Sequence, residues 1–217
     1  MLITRHFVFV HFQKTGGVFI KNLCQAHTNW VISNDEEHPP ASAIPSQFRH
    51  LPVLGFVRNP WDWYVSWYHY VGRQGERLKD SPDHSPWVAI FRQGQASFPE
   101  VIRAACGGVP SNGNSPSWMD EIRQTQVDLY SRWCDQMFRV GFDGDVELGR
   151  FEHLRSDFLS FLHRHDVSLP DGFEHAALTR PPDNRSDHAP YRSYYDHDLR
   201  ELVGRTNRLV SEYGYEF

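Results

Sequence analysis

The feature that most constrains the fold is a strand pattern that runs directly into a short glycine-containing loop and then into a helix pattern. Residues 6–12 read HFVFVHF, a run of aromatic and β-branched residues typical of a buried strand. The chain then breaks at QKTGG and resumes as VFIKNLCQAH, which is long enough for a helix. We therefore predict a strand, a tight loop at residues 13–17 and a helix.

The predicted loop has the composition of an anion-binding site. Gly16 and Gly17 let the backbone come close to an anion, and the following helix adds its positive end. Lys14 supplies a full positive charge. In a magnesium-nucleotide P-loop the lysine follows the last glycine and a Ser or Thr then holds the metal, whereas here Lys14 precedes both glycines and Val18 replaces the hydroxyl. A phosphate-gripping loop without magnesium is favoured, although an ordinary strand-to-helix turn would have a similar composition.

A second strand-to-helix junction follows about forty residues later. The sequence VLGFV at 53–57 is typical of a buried strand and is followed by RNP. Asn59 can cap the next helix and Pro60 can occupy its first position, so we predict a helix that reaches about Val71. The aromatic residues of this helix are expected to pack in the core and at its rim, with one able to stack on an adenine: Trp61, Trp63, Tyr64, Trp67, Tyr68 and Tyr70.

Two polar residues of this junction are candidates for a second anion site. Arg58 stands at the carboxyl end of the strand, where open α/β sheets bind ligands, and Ser66 follows two helical turns later. A guanidinium with a hydroxyl suits a phosphate monoester, because the planar fork forms paired, charge-assisted hydrogen bonds. Arg58 could instead pair with a carboxylate such as Asp62, and Ser66 could have no role beyond the helix.

Short strands that alternate with helices predict the α/β class, specifically a P-loop-like, three-layer fold with a central, mainly parallel sheet flanked by helices. We predict one domain over residues 1–217. Residues 72–117 are rich in Gly, Pro and Ser, which indicates an insertion or lid over the main core. Within it, Ser97 and Glu100 have the spacing of a helix capping box, and Gly107 follows as a stop.

The C-terminal half continues the same pattern. We predict one helix from Trp118 to about Asp135, a strand at 146–151 and one final helix that carries apolar residues from Leu199 to Val210. A further helix is predicted from four residues at helical spacing: Phe151, Leu154, Phe158 and Leu162.

Composition excludes several classes of function. The formal net charge of -5 argues against broad nucleic-acid binding, which depends on many Lys and Arg contacts to phosphates. Three widely spaced cysteines without a CxxC motif predict neither a disulfide framework nor a cysteine-rich zinc site. The apolar run at 7–12 is too short for a secretory signal, and no run approaches the roughly 18 apolar residues of a membrane span. We expect a cytoplasmic protein with no membrane span.

The motifs taken in order resemble those of the sulfotransferase family, specifically the compact group related to carbohydrate sulfotransferases. The resemblance is carried by HFQKTGG, FVRNPWDWYVSWYHY, GRFEHLRSDF, NRSDHAPYRSYYD and YGYEF. It covers both ends of the chain and is weakest over residues 72–133. It implies a P-loop-like fold and a reaction that takes a sulfuryl group from 3′-phosphoadenosine 5′-phosphosulfate (PAPS) and leaves 3′-phosphoadenosine 5′-phosphate (PAP).

The resemblance also assigns donor contacts. It implies that the first loop holds the 5′-phosphosulfate through Gln13, Lys14, Thr15, Gly16, Gly17 and Val18. It implies that Arg58 and Ser66 hold the 3′-phosphate. Two residues depart from the family pattern, since Gln13 replaces the usual Pro and Val18 replaces the usual Thr or Ser. The second change removes one hydroxyl contact to the 5′-phosphate.

The implied mechanism is an in-line displacement, in which a base removes the proton of an acceptor hydroxyl while Lys14 stabilises the leaving oxygen. The acceptor is expected to be a carbohydrate or another small molecule. His38 is the preferred base because the pKa of His lies near the operating pH. It could equally be a solvated loop residue, and Glu36, Glu37 and His69 are alternatives. His11 is expected to orient the first loop by hydrogen bonding.

In relatives the segment equivalent to NRSDHAPYRSYY closes over the nucleotide, which makes Asn184, Arg185 and Ser186 candidate donor contacts. A helix-entry loop stabilised by its own side chains is the alternative. The histidines near residue 160 lack a ligand pattern, so no metal is predicted. Two rival functions stay open: a P-loop-like nucleotide kinase, and a non-catalytic nucleotide-binding module.

Overall fold

The structure is a computed structural model that describes residues 1–35, 38–78, 96–107, 117–183 and 188–217, without the side chains of 72–78 and 117–120. Glu36 and Glu37, the candidate donor contacts Asn184, Arg185 and Ser186, and much of the predicted insertion at 72–117 lie outside the described residues. The chain divides into two compact units, Met1–Arg58 with Cys134–Arg185 and Asn59–Trp133 with Ser186–Phe217.

The described strands are β1 (Leu2–Thr4), β2 (Val8–Phe9), β3 (Val31–Asn34), β4 (Val53–Val57) and β5 (Val146–Arg150). The described helices are α1 (Gly17–His27), α2 (Pro60–Leu78), α3 (Phe98–Gly107), α4 (Ser117–Thr125), α5 (Leu129–Phe138), α6 (Leu154–Arg164), α7 (Phe173–Thr179), α8 (His197–Thr206) and α9 (Arg208–Tyr213).

The described strands of the first unit form one sheet in the order β3-β1-β2-β4-β5. Strands β2, β4 and β5 are parallel, with Phe9 opposite Leu54 and Val57 opposite Arg150. Strand β1 is antiparallel to both β2 and β3, so four of the five strands point the same way. The carboxyl ends of β2 and β4 therefore lie at one edge of the sheet, where both predicted anion motifs follow.

Helices cover both faces of this sheet. Helices α1, α6 and α7 share one apolar core with the strands, which includes Phe9, Phe56, Phe158 and Phe173. On the opposite face the ring of Phe138, at the end of α5, lies where a side chain at Gly55 would be. The predicted α/β class, with a mainly parallel sheet flanked by helices, is confirmed.

The second unit is helical in its described part and has an aromatic core. Trp63 of α2 stacks on Tyr130 of α5 with ring centroids 4.2 Å apart, and on Trp67 at 5.4 Å. Trp63, Tyr64 and Trp67 are almost completely buried. These rings pack in the core, as predicted, whereas Tyr70 is 39% exposed.

Two helices predicted as continuous are each broken by a polar residue that caps the next helix. The segment predicted as one helix from Trp118 to Asp135 is interrupted between α4 and α5, where Asp128 Oδ1 accepts from the Ser131 amide at 3.0 Å. The terminal helix is divided at Asn207, whose side chain accepts from the Leu209 amide. The prediction of one unbroken helix was wrong in both places, because a capping side chain competes with the helical backbone hydrogen bonds.

Several other limits of strands and helices follow from local sequence features such as capping residues. Strand β4 has the predicted limits, and α2 begins at Pro60 after the Asn59 cap. The capping box at Ser97 is present, since its amide donates to Glu100 at 2.9 Å, and α3 ends at Gly107. Helix α2 continues to Leu78 rather than ending near Val71. No helix in the described ranges has the length and apolarity that a bilayer crossing requires.

Candidate functional site

The loop that joins β2 to α1 has the backbone conformation of an anion-binding turn. Lys14 and Gly16 both have left-handed backbone angles, with φ of 63° and 81°. A left-handed residue within a turn directs neighbouring amide hydrogens toward one concave side, where an anion can accept from them. A non-glycine residue rarely adopts this conformation, so the left-handed Lys14 is a local strain of the kind found at binding sites.

Helix α1 directs its positive end at this loop. Gly16 is its N-cap, makes no side-chain cap hydrogen bond, and the described first turn contains no acidic residue. The amide hydrogens at the start of a helix have no partner within the helix, and the helix dipole adds a partial positive charge there. This end of α1 therefore suits a phosphate or phosphosulfate group.

Neighbouring side chains, rather than only a bound anion, explain the two glycines of the loop. A Cβ at Gly16 would lie 2.7 Å from Leu154 Cδ2, and Gly16 also needs its left-handed angle. A Cβ at Gly17 would lie 1.9 Å from the His11 ring. Both positions are therefore closed to larger residues by the fold itself.

The polar side chain of Thr15 is used within the loop. Its hydroxyl donates to the Phe12 carbonyl at 2.6 Å, and the residue is fully buried. Thr15 thus fixes the loop conformation. Val18, one residue into α1, is partly exposed and has no hydroxyl. Gln13 and Lys14 are also partly exposed.

Arg58 lies against the same loop. Its Nη1 donates to the Lys14 carbonyl at 3.1 Å, and its guanidinium carbon lies 4.2 Å from the centroid of the Phe151 ring. The residue is only 9% exposed. The end of β4 and the loop after β2, predicted as separate anion sites, therefore meet at one edge of the sheet within the first unit.

Phe151 is a site residue that the sequence reasoning missed. Its ring lies beneath the Arg58 guanidinium and within 3.1 Å of where a Gly16 side chain would begin. An aromatic face stabilises a cation held above it. The motif GRFEHL contains Phe151, but the sequence placed it only among four residues at helical spacing. In the same motif the Arg150 amide donates to Asp157 at 2.8 Å, a structural contact.

His11 and His38 form a pair beside the loop. The two ring centroids are 4.4 Å apart, and the His11 ring stacks on Phe9. His38 Nδ1 lies 2.8 Å from the His11 carbonyl oxygen. Since a carbonyl oxygen can only accept, Nδ1 carries the proton, and the lone pair of the neutral His38 ring is on Nε2. The side chain of His38 is exposed, so Nε2 is the basic atom that it can present.

Loss of contact with water lowers the pKa of both rings. Removal from water, followed by smaller effects of the nearby His38 and Lys21, lowers the pKa of His11 to about 3. Partial burial also lowers the pKa of His38, although its hydrogen bond to the His11 carbonyl acts in the opposite direction. That His11 orients the loop by hydrogen bonding stays a prediction; its described contacts here are the packing of its ring against Gly17 and its carbonyl, which accepts from His38.

The low pKa of His11 predicts an acid-dependent loss of stability. The pKa of His11 in the folded protein, about 3, lies below its ordinary value of 6.5. The neutral ring therefore stabilises the fold fully above pH 6.5, and this stabilisation is lost as the pH falls toward 3. Lowering the pH from 7 to 5 should reduce the free energy of unfolding by about 2 kcal/mol through this group alone. Urea unfolding at both pH values, compared with a His11→Phe variant that cannot be protonated, measures the difference. An equal pH dependence in the variant would contradict the assignment.

The remaining candidates lie in the second unit. Ser66, in α2, is 1% exposed. His69, one turn later, lies 2.8 Å from the Tyr194 hydroxyl through Nε2 and stacks on His188. These contacts give His69 a packing role in that unit. Within the described ranges no cluster of three or more His, Cys, Asp or Glu side chains is arranged to hold a metal ion.

Comparison with known proteins finds a distant likeness among solved structures. No protein-family model matches the chain, and no curated protein sequence does. Among solved structures, the crystal structure of mouse sulfotransferase SULT7A1 complexed with PAP is similar to 97% of this chain and 88% of that chain, with a TM-score of 0.45 and 13% sequence identity. A likeness of this degree does not define an activity, so a functional assignment has to come from the geometry of the loop.

Proposed function

We propose that this chain is a sulfotransferase that moves a sulfuryl group from PAPS to a hydroxyl of a carbohydrate or another small molecule. The observation that carries the proposal is the contact between Arg58 and the Lys14 carbonyl, at 3.1 Å. It joins two cationic motifs, about forty residues apart in sequence, at the start of an uncapped helix. A donor with phosphate groups on both sides of its ribose requires such a double anion site.

The two motifs have different roles in the proposal. The backbone amides of residues 13–17 and the Lys14 ammonium hold the 5′-phosphosulfate, as the conformation of the loop supports. Arg58, held over the Phe151 ring and hydrogen-bonded to the Lys14 carbonyl, offers its guanidinium to the 3′-phosphate. The parts assigned to Ser66, Asn184, Arg185 and Ser186 stay predictions.

The proposed reaction is a direct transfer. The acceptor oxygen attacks sulfur while its proton passes to Nε2 of His38, and the bond between sulfur and the 5′-phosphate oxygen breaks. PAP leaves with the electron pair of that bond, and Lys14 with the loop amides stabilises the charge that develops on the leaving oxygen. The Nδ1 hydrogen bond of His38 supports this role because it leaves Nε2 unprotonated.

The test is binding of PAP to the purified protein. At about 100 times its Kd, PAP should stabilise the native state by roughly 2.7 kcal/mol, which raises Tm by about 5 to 10 °C. Arg58→Ala should weaken PAP binding by about 2 to 4 kcal/mol, or roughly 30- to 900-fold, because a buried charged contact is lost. Radiolabelled PAPS with a panel of sugars and phenols then tests for transfer.

Two comparisons make this test specific. Adenosine 5′-phosphate lacks the 3′-phosphate, so Arg58→Ala should weaken its binding much less than that of PAP, only by the loss of the hydrogen bond to the Lys14 carbonyl. Arg164→Ala is the matched control, because the Arg164 side chain is 57% exposed and paired with Glu147. Absence of PAP binding by the wild type would overturn the proposal, and turnover of magnesium-ATP would replace it with a kinase. PAP binding without transfer to any acceptor would favour a binding module.

A further inference from the structure

Lys21 is a buried cation close to the proposed base. It lies in α1 with only 8% of its surface exposed, and its Nζ donates to the Asp35 carbonyl at 3.1 Å. Lysine is rarely buried, because removing an ammonium from water is costly unless its hydrogen bonds are replaced. Its burial therefore calls for a compensating role in the fold or in the site.

One face of α1 carries both Lys21 and Gly17, which are four residues apart and hence adjacent on the helix surface. Gly17 meets the His11 ring, and the His11 carbonyl accepts from His38. Lys21 meets the backbone of Asp35, three residues before His38 in the sequence. The same helix face thus supports the proposed base through two separate contacts.

Hydrogen bonds to two other parts of the chain hold the Asp35 backbone in place. Its amide donates to the Met1 carbonyl at 2.9 Å, and its own carbonyl accepts from Lys21 and from the Met1 amino group, each at 3.1 Å. His38 is fixed at the other end by the His11 carbonyl. A lost hydrogen bond at the Asp35 carbonyl would loosen the chain three residues before His38, whose side chain would keep its hydrogen bond to the His11 carbonyl.

We propose that Lys21 is a positioning residue for His38, holding the Asp35 end of its segment and placing a positive charge near the imidazole. This inference rests on the proposed function only where it concerns turnover. The charge has a second effect, because a nearby cation disfavours protonation of His38 and keeps it ready to accept a proton. The described charged groups that act on His38 are Lys21, Asp35 and the Met1 amino group, while His11 stays neutral.

The first test is an NMR titration of the His38 imidazole in the wild type and in Lys21→Met, with His38→Asn used to assign the signal. Removing the cation should raise the pKa of His38 toward its ordinary value, and Lys21→Arg should restore the wild-type pKa. Gln25→Met, an exposed change one turn further along α1, is the control and should have no effect. An unchanged pKa in Lys21→Met would overturn the proposal.

The second test is kinetic. Lys21→Met should lower kcat about 10- to 100-fold, as expected for a displaced catalytic group, and should move the acidic limb of the pH profile upward while the Kd for PAP stays the same. A parallel loss of PAP affinity would mean that Lys21 supports only the loop, and would also overturn the proposal.

If Lys21→Met does not fold, Lys21→Gln can replace it, since the amide can still donate to Asp35 but carries no charge. It should raise the pKa of His38 with a smaller loss of kcat. The titration needs no substrate, so it decides the relation between Lys21 and His38 by itself. Absence of PAP binding by the wild type would instead overturn the proposed function.

Discussion

Gly17→Ala should destabilise the protein by about 2 to 3 kcal/mol, the upper range for inserting one methyl group into a packed site. The added Cβ would lie 1.9 Å from the His11 ring, which is itself buried against Phe9 and His38. The ring or the start of α1 must therefore move. The same displacement at the anion loop should weaken PAP binding by a similar free energy, about 30- to 150-fold. Urea unfolding and calorimetric titration with PAP measure the two effects.

Two further variants identify the cause. Gly107→Ala is the matched control, because a Cβ there meets no atom of the described residues within 4 Å, and we expect a change within about 0.5 kcal/mol. His11→Ala removes the obstructing ring, so adding Gly17→Ala to it should cost much less than in the wild type. If the cost of Gly17→Ala is the same in both backgrounds, contact with His11 is not the reason for the glycine.

Asp128→Ala should destabilise the second unit by about 3 to 5 kcal/mol, the usual cost of leaving buried polar partners without their charged acceptor. Asp128 is fully buried and accepts from the Tyr64 hydroxyl at 2.7 Å, the Asn207 side chain at 2.8 Å and the Ser131 amide at 3.0 Å. Burial raises the pKa of Asp128, whereas these hydrogen bonds act in the opposite direction. Urea unfolding followed by tryptophan fluorescence measures the loss.

Asp128→Asn separates the hydrogen bonds from the charge. The amide keeps one acceptor oxygen in the same place, so we expect an intermediate loss of about 1 to 2 kcal/mol. Asp143→Ala, at a side chain that is 90% exposed, should have almost no effect. Equal stability of Asp128→Ala and the wild type would show that the buried network contributes nothing.

The sequence predicted local features of the candidate site well. The buried strand at 53–57, the Asn59 cap and the loop-to-helix transition near Gly17 follow from rules that involve only neighbouring residues. It also predicted that two parallel strands end near the site, which brings Arg58 to the loop after β2. Capping by Asp128 and Asn207 was missed, because the apolar spacing on either side of each residue looked like one continuous helix.

What the sequence by itself determined is therefore the alternation of elements, the position of the glycine loop and the identity of its cations, because apolar periodicity and turn chemistry act over a few residues. Only the tertiary structure decided why the glycines are required, which ring lies under Arg58 and which atom of His38 is basic. Those features depend on contacts of His11 with Gly17 and His38, of Phe151 with Arg58, and of Lys21 with Asp35. Such contacts join parts of the chain whose separation in space is set by the path of the whole backbone, which no local pattern encodes.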